Sequence, residues 1–317
     1  MAQVAEICDK IVQNVERVVV GKRRAVRLCL VCLLCEGHLL LEDVPGVAKT
    51  MLARSLAISL GLKFSRIQCT PDLMPTDVTG ASVFNQKKAD FEFRPGPIFT
   101  NILLSDEINR ATPRTQSALL QAMAERQVTV DGLTYELPRP FMVIATQNPV
   151  EYEGTFPLPE AQLDRFFMRI SLGYPAPADE LVMLANVESS HPINSLSQVV
   201  SLDEFLEARR GVARVYVDGR VREYLVRLVN ATRRSPHLLL GASPRGTQDL
   251  FFAARAAAAL AGRDFVIPDD IKALAGPVLL HRMMLNPESR LKGITAERVL
   301  REILDSVPAP VRQSGNA

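Results

Sequence analysis

The stretch from Gly37 to Gly61, GHLLLEDVPGVAKTMLARSLAISLG, constrains the chain more than any other. Leu39 to Leu41 make a short apolar run, a Pro-Gly turn follows, and Lys49-Thr50 open a helical pattern that Gly61 can end. The order reads as strand, loop, helix. The first turn of a helix leaves backbone N–H groups unpaired and aimed outward, so such a junction receives an anion. Lys49 then stands where it reaches the β- and γ-phosphates of a nucleotide and the Thr50 hydroxyl where it holds Mg²⁺, with Pro45, Gly46, Val47, Ala48 and Met51 completing the loop. The glycine pattern is incomplete: where a phosphate loop has glycine first and again before the lysine, this chain has Asp43 and Ala48. A methyl group at Ala48 is accommodated if φ there is negative. The carboxylate of Asp43 must point away or be paired. The competing reading is a plain strand-turn-helix crossover.

With 317 residues the chain is long enough for two domains, each with its own core. Lys and Arg number 37 against 35 Asp and Glu, and the balance holds on either side of Pro175, so a general nucleic-acid partner is not expected. Glu6, Asp9 and Lys10 interrupt the N-terminus, and Arg27, Glu36, Gly37 and His38 break the apolar run that follows. That pattern predicts neither a signal peptide nor a membrane segment, and a cytoplasmic protein. Cys29, Cys32 and Cys35 recur at intervals of three among Leu and Val at helical spacing, which reads as small buried hydrophobes rather than ligands of a cluster. No two histidines are spaced as metal ligands.

Apolar residues at intervals of three and four predict two helices between Ala2 and Cys35, interrupted at VVVGKRRAV. There Val20-Gly21 either faces the apolar base of a ligand or simply turns the chain. FSRIQCT reads as a second strand, and Ser82 to Pro97 as an insertion of two strand-like pieces around KKAD. Ile102 to Leu104 make a buried strand with Asp106-Glu107 at its end, and a helix follows from about Pro113 to Glu125. QVTVDGLTYEL alternates around Asp131-Gly132, a two-residue hairpin signal. PFMVIATQNP is an apolar strand ending near Asn148, and RFFMRISLG is the last. Strands alternating with helices predict an α/β parallel sheet covered on both faces, with ligands bound beyond the carboxyl ends of the strands. Asp43, Asp106-Glu107 and Asn148 all lie at such ends. The Pro-rich YPAPADE marks a boundary near residue 175; a linker over about 176–200, an all-helical unit over about 201–308 and a disordered tail from 309 to 317 are expected beyond it.

Each polar tip has work to do in phosphoryl transfer. Asp106 orients Mg²⁺ and its waters, and Glu107 takes the proton of an attacking water, though an acidic pair after a strand is also a common helix cap. Asn148 holds that water or the γ-phosphate, or else caps a turn. Arg165, in LPEAQLDRF, and Arg245, in GASPRGTQDL, answer charge building on the transferring phosphate, or are solvated surface arginines.

The motifs LLLEDVPGVAKT, LLSDEINRATPRTQSALLQAMAERQVTVDG, ATQNPVEYEGTFPLPEAQLDRF and GASPRG together resemble those of AAA+ ATPases, and within them the MoxR group, in the clade with an insertion in helix 2. The resemblance implies a P-loop αβα core with a five-stranded parallel sheet, a small all-α lid, and ATP with Mg²⁺ bound at the subunit interfaces of a ring, usually a hexamer. It assigns Lys49 and Thr50 to Walker A, Asp106 and Glu107 to Walker B, Asn148 to sensor 1, Arg165 to the arginine finger acting on a neighbour's nucleotide, and Arg245 to sensor 2, in cis or in trans. Residues of about 82–97 match the helix-2 insertion and about 127–138 the hairpin before sensor 1. The implied function is an ATPase with chaperone-like remodelling or maturation activity toward a client protein, working with a partner that carries a von Willebrand factor A (VWA) domain. Two alternatives stay open: a nucleotide-gated scaffold with little turnover, favoured by Ala48, and a metal-insertion motor similar to that of magnesium chelatase.

Overall fold

The computed structural model describes residues 1–149, 154–187 and 192–310. The last seven residues of the expected tail lie outside the described residues. Two amphipathic helices, α1 (Ala2–Glu16) and α2 (Arg23–Leu34), come first. Cys29 and Cys32 are fully buried on α2 among Leu30, Val31 and Leu33, and burial pushes the Cys29 thiol up to about 12, so these cysteines are core side chains. The expected strand, loop and helix then appear as β1 (Leu39–Glu42) and α3 (Lys49–Ser59), followed by β2 (Phe64–Gln68).

A short helix α4 (Pro75–Thr79) leads into a hairpin of β3 (Gly80–Asn85) and β4 (Asp90–Pro95), which is the expected insertion. β5 (Ile102–Asp106) and α5 (Pro113–Glu125) come next, and then a second hairpin, β6 (Gln127–Val130) and β7 (Leu133–Glu136). Asp131 and Gly132 both have positive φ, at 50° and 80°, as a two-residue turn that follows the twist of its strands requires. β8 (Met142–Gln147), α6 (Glu160–Leu163) and β9 (Met168–Ile170) complete the unit.

β2, β5, β8, β1 and β9, in that order, form one parallel five-stranded sheet. It is buried on both faces, because alternate residues of each strand enter different cores. Leu39 and Leu41, Ile102 and Leu104, and Met142 and Ile144 pack with α1, α2 and α3, whereas Leu40, Leu103 and Val143 pack with α5. The predicted α/β class and parallel sheet are therefore present.

Within the stretch read as a linker, Pro177–Val187 forms a helix, α7. Beyond it α8 (Leu202–Val212), α9 (Gly219–Arg234), a short strand β10 (Leu238–Leu240), α10 (Pro244–Leu260) and α11 (Pro268–Leu279) follow, then β11 (Met284–Leu285), α12 (Pro287–Leu291) and α13 (Ala296–Ser306). Ser201, Asp218, Ser243 and Thr295 each cap a helix by accepting a backbone N–H bond, so these starts are fixed by sequence. The helical unit does not have a core to itself. Phe205 of α8, Tyr224 of α9, Leu250 of α10 and Leu274 of α11 share one apolar cluster with α1, α2 and one face of the sheet.

Candidate active site

The carboxyl ends of the central strands carry the predicted loop. Gly46 has φ +85° and nothing within 4 Å of where a Cβ would stand, so the loop is open to a ligand there. Asp43 is buried and turned away from the loop: its carboxylate accepts hydrogen bonds from Ser171 Oγ at 2.9 Å, from Gly173 N at 3.1 Å and from Leu172 N. The charge that seemed costly beside a phosphate is paired with the chain after β9. Lys49 Nζ donates to the Asp43 backbone carbonyl at 2.8 Å. Burial pushes its ammonium down, against the upward pull of the Asp106, Asp43 and Glu107 carboxylates. The φ of Ala48, left open by the sequence, is +61°, in the left-handed region, so the negative φ that would accommodate its methyl group is not adopted. The cause is geometric: this position, between the turn and the first residue of α3, is where the chain must reverse to start the helix, and glycine does so at lower cost.

Asp106 ends β5 and is oriented from two sides, by Thr146 Oγ1 at 2.6 Å and by Arg66 at 2.7 Å. Thr146 also accepts from Glu107 N at 2.8 Å, so one hydroxyl of β8 ties the acidic pair together. Glu107 has a positive φ of 56°, and its carboxylate accepts from Gln68 Nε2 at 2.9 Å and from Arg110 at 3.1 Å. Such a backbone conformation at a functional carboxylate is stored strain that fixes where the side chain points. Asn148 is buried one residue beyond β8. Nearby, Gly21 and Lys22 line a cleft of about 470 Å³ with Arg169 to Leu172 on one wall and Gly276 and Pro277 of α11 on the other. Gly21 has φ +73°, and the Asp179 carboxylate of α7 fills the space a Cβ would need. Val20 is half-buried beside it and is not on the wall of the cleft.

Arg165 and Arg245 are elsewhere. Arg165 precedes β9, at the amino end of the sheet, where Phe167 N donates to His38 O at 2.8 Å, and its guanidinium donates to Leu120 O of α5 at 2.9 Å. Arg245, in the first turn of α10, donates to the Asp164 backbone carbonyl at 3.4 Å and stands 4.0 Å from the Asp164 carboxylate. The two predicted arginines are thus brought to one place. That place is the opposite end of the sheet from the phosphate loop, separated by β9 and its flanks, about 17 Å if the five steps from Phe166 to Ser171 are fully extended.

Residues 38–168 match the family model described as the ATPase family associated with various cellular activities (AAA), and residues 230–303 match the AAA lid domain. The chain is 55% identical over 308 residues to the protein YeaC of Bacillus subtilis (strain 168), itself uncharacterized, covering 97% of this chain and 96% of that one. It is 41% identical over 311 residues to the chaperone MoxR1 of Mycobacterium tuberculosis (strain ATCC 25618 / H37Rv), covering 95% and 82%. The crystal structure of a candidate ATPase from Cytophaga hutchinsonii ATCC 33406 superposes with a TM-score of 0.91 at 40% identity, covering 98% of each chain. The chain belongs to the MoxR family of AAA+ ATPases.

For a MoxR-family ATPase, the residues at the carboxyl ends fit a nucleotide with its Mg²⁺. Thr50 and Asp106 offer the hard oxygen donors that Mg²⁺ prefers, and the Asp106 carboxylate is held in one orientation. Several residues that set up the geometry were not singled out in the sequence: Thr146, Arg66 and Gln68 around the acidic pair, Ser171 to Gly173 around Asp43, and Asp164, Asp249 and Arg282 at the amino end. Asp164 directly precedes Arg165 in LDRF, a signal that was available. Arg282 had none, since it lies in no motif and reaches the site only through the fold. Burial pushes the Asp249 carboxyl up to about 6, although the Arg282 guanidinium pulls it down.

Proposed function

We propose that the protein hydrolyses ATP with Mg²⁺ at interfaces between copies of itself in a ring, a hexamer by family resemblance, and that the cycle drives remodelling of a client protein. The observation that carries this reading is the split of the site between the two ends of one sheet. Lys49, Glu107 and Asn148 gather at the carboxyl end, whereas Arg165 and Arg245 stand at the amino end of the same chain, too far to reach its own phosphate loop. A second copy is needed to complete the set, and both arginines then act in trans. In that assembly Lys49 binds the β- and γ-phosphates, and Thr50 and Asp106 are the residues that would hold Mg²⁺, which supplies charge neutralisation between the phosphates. Asn148 positions a water, which attacks the γ-phosphorus as the bond to the ADP oxygen breaks, and Glu107 accepts its proton. Arg165 and Arg245 of the neighbouring copy stabilise the charge on the transferring group.

The client surface in this reading is the pair of hairpins. Phe93 of β4 stacks on Tyr135 of β7 at 4.1 Å between ring centroids, and both meet Phe99, so the two insertions are joined. Phe84, Phe91 and Leu133 are more than half exposed on them. Apolar side chains held out on a braced hairpin suit an unfolded or loosely folded segment. By family resemblance the ring is cytoplasmic and works with a VWA-domain partner. Among the described residues no helix is long and apolar enough to cross a membrane.

A second reading, a scaffold that binds ATP and assembles without turnover, is favoured by Ala48, whose left-handed backbone strains the phosphate loop. Mg²⁺-dependent hydrolysis across a protein concentration series tests both. Activity per subunit that rises with concentration is the expected result. Activity independent of concentration would remove the shared interface, and a single-turnover experiment that leaves bound ATP uncleaved would favour the scaffold.

A further inference from the structure

Between the sheet and the helical unit lies one buried guanidinium. The Arg282 side chain is 1% exposed, and each of its three nitrogens has a hydrogen-bond partner. Nε donates to Asp164 Oδ1 at 2.9 Å and one terminal nitrogen to Val278 O at 2.6 Å. The other terminal nitrogen reaches Phe166 O at 2.7 Å, Asp164 O at 3.2 Å and the Asp249 carboxylate. Arg282 therefore grips the chain on both sides of Arg165, at residues 164 and 166, from the end of α11. Asp164 is the other half of the grip. Its carboxylate also accepts from Ser243 Oγ at 2.6 Å, the residue that caps α10, and Arg245 follows two positions later. A single carboxylate thus joins the residue before one arginine to the cap of the helix that carries the other.

We infer that Asp164, clamped by Arg282, is a positioning residue that fuses Arg165 and Arg245 into one unit, so that the two guanidiniums are presented together to the neighbouring copy's nucleotide. This rests on the hydrolytic, ring-forming reading above. An isolated arginine on a turn samples many rotamers, and an active-site charge misplaced by about 1 Å costs on the order of 100-fold in rate. A buried guanidinium bonded through all three nitrogens to backbone carbonyls and two carboxylates is a rigid anchor. It also makes the orientation of the helical unit a condition for correct placement of Arg165, since Val278, Arg282, Ser243 and Asp249 all belong to that unit.

The test uses the full chain with Asp164→Ala and Arg282→Lys, which keeps the charge but loses the fork. The turnover of Asp164→Ala should fall about 10- to 100-fold, while its affinity for a fluorescent ATP analogue, set by its own phosphate loop, stays within about twofold of wild type. Adding Asp164→Ala to a variant that already carries both Arg165→Ala and Arg245→Ala should cost no further turnover, because the aspartate acts through the two arginines. Mixing Asp164→Ala subunits with Lys49→Ala subunits should restore hydrolysis above the sum of the two parts. The first supplies an intact phosphate loop, the second an intact pair of arginines, and a misfolded variant could not be rescued in this way. Arg282→Lys should reproduce the turnover loss. Wild-type turnover in Asp164→Ala, parallel loss of ATP-analogue affinity, or no restoration on mixing would each overturn the inference while leaving the hydrolytic reading in place. An inert wild type overturns that reading, and the inference with it.

Discussion

The two ends of the central sheet carry chemistry of the same kind by different means. At the carboxyl end the groups come from loops that follow β1, β5 and β8, and much of the work falls to backbone: the N–H groups that start α3, the left-handed turns at Gly46, Ala48 and Glu107, and the Asp43 carbonyl that receives Lys49. At the amino end Arg245 and the chain on both sides of Arg165 are held by a network centred on Asp164 and the buried Arg282, while the Arg165 guanidinium itself rests on Leu120 O. In the proposed reading one end is a cradle that takes its nucleotide from solution, and the other is a prong aimed at the neighbouring copy. The contrast teaches that strand direction alone, by placing loops at one edge and strand starts at the other, sets the two groups of residues apart, which is why the proposed site needs two molecules.

The strongest way to break the comparison is to silence one end and ask whether the other notices. Arg165→Ala should lower turnover by about 10³-fold with ATP affinity nearly unchanged. Lys49→Ala should instead abolish detectable binding of an ATP analogue. If Arg165→Ala weakens binding as much as Lys49→Ala does, the two ends are not functionally distinct. Of comparable size, Glu107→Gln should lose about 10²- to 10⁴-fold in turnover, the range for removing a general base, and keep ATP bound. Stable rings trapped in ATP, read by light scattering, are the expected outcome.

The carboxyl end was legible in the sequence because its residues are neighbours in short motifs: Lys49 with Thr50, Asp106 with Glu107, each following an apolar strand. The five parallel strands and both hairpins were legible for the same reason, since period and turn chemistry are local. What stayed hidden was whatever depends on contact between distant segments. Thr146 orients Asp106 from 40 positions away and Arg282 meets Asp164 across 118. α7 falls in the stretch bounded as a linker because YPAPADE signals a break, and the helical pattern of LVMLANV after it forms part of that helix. The backbone of Ala48 stayed open because no residue pattern reports a torsion angle, and the structure places it in the left-handed region.

The amino end also carries a pH liability. His38, just before β1, donates from Nε2 to Met123 O at 3.0 Å and accepts Val143 N on Nδ1 at 3.0 Å. A second proton would face that N–H. Burial, and then the Arg126 charge, push its pKa down from 6.5 to about 4, against the Met123 hydrogen bond. The folded protein thus binds fewer protons than the unfolded chain between pH 6.5 and about 4, so stability is lost as pH falls through that window. Between pH 7 and pH 5 the loss from His38 alone is about 2 kcal/mol at roughly 1.4 kcal/mol per pKa unit. His281, buried against Phe166 O and also shifted down, adds to the same slope. Urea midpoints at the two pH values measure it, and His38→Gln should flatten the slope. An unchanged slope would place the acid sensitivity elsewhere.

The smallest expected effect lies back at the carboxyl end. Ala48→Gly removes a Cβ from a backbone at φ +61°, a conformation that costs an L-residue about 1–2 kcal/mol. Glycine adds unfolded-state entropy worth roughly 0.5–1 kcal/mol in the other direction. The net gain is on the order of 1 kcal/mol at most, read as a modest rise in urea midpoint. Its kinetic companion is more informative. If the strain restrains the loop from closing on phosphate, Ala48→Gly raises single-turnover hydrolysis in the same preparation, and the cradle rather than the prong limits the wild-type cycle. If stability rises but hydrolysis does not, the loop is already competent, and the slow step lies with delivery of Arg165 and Arg245 from the neighbouring copy.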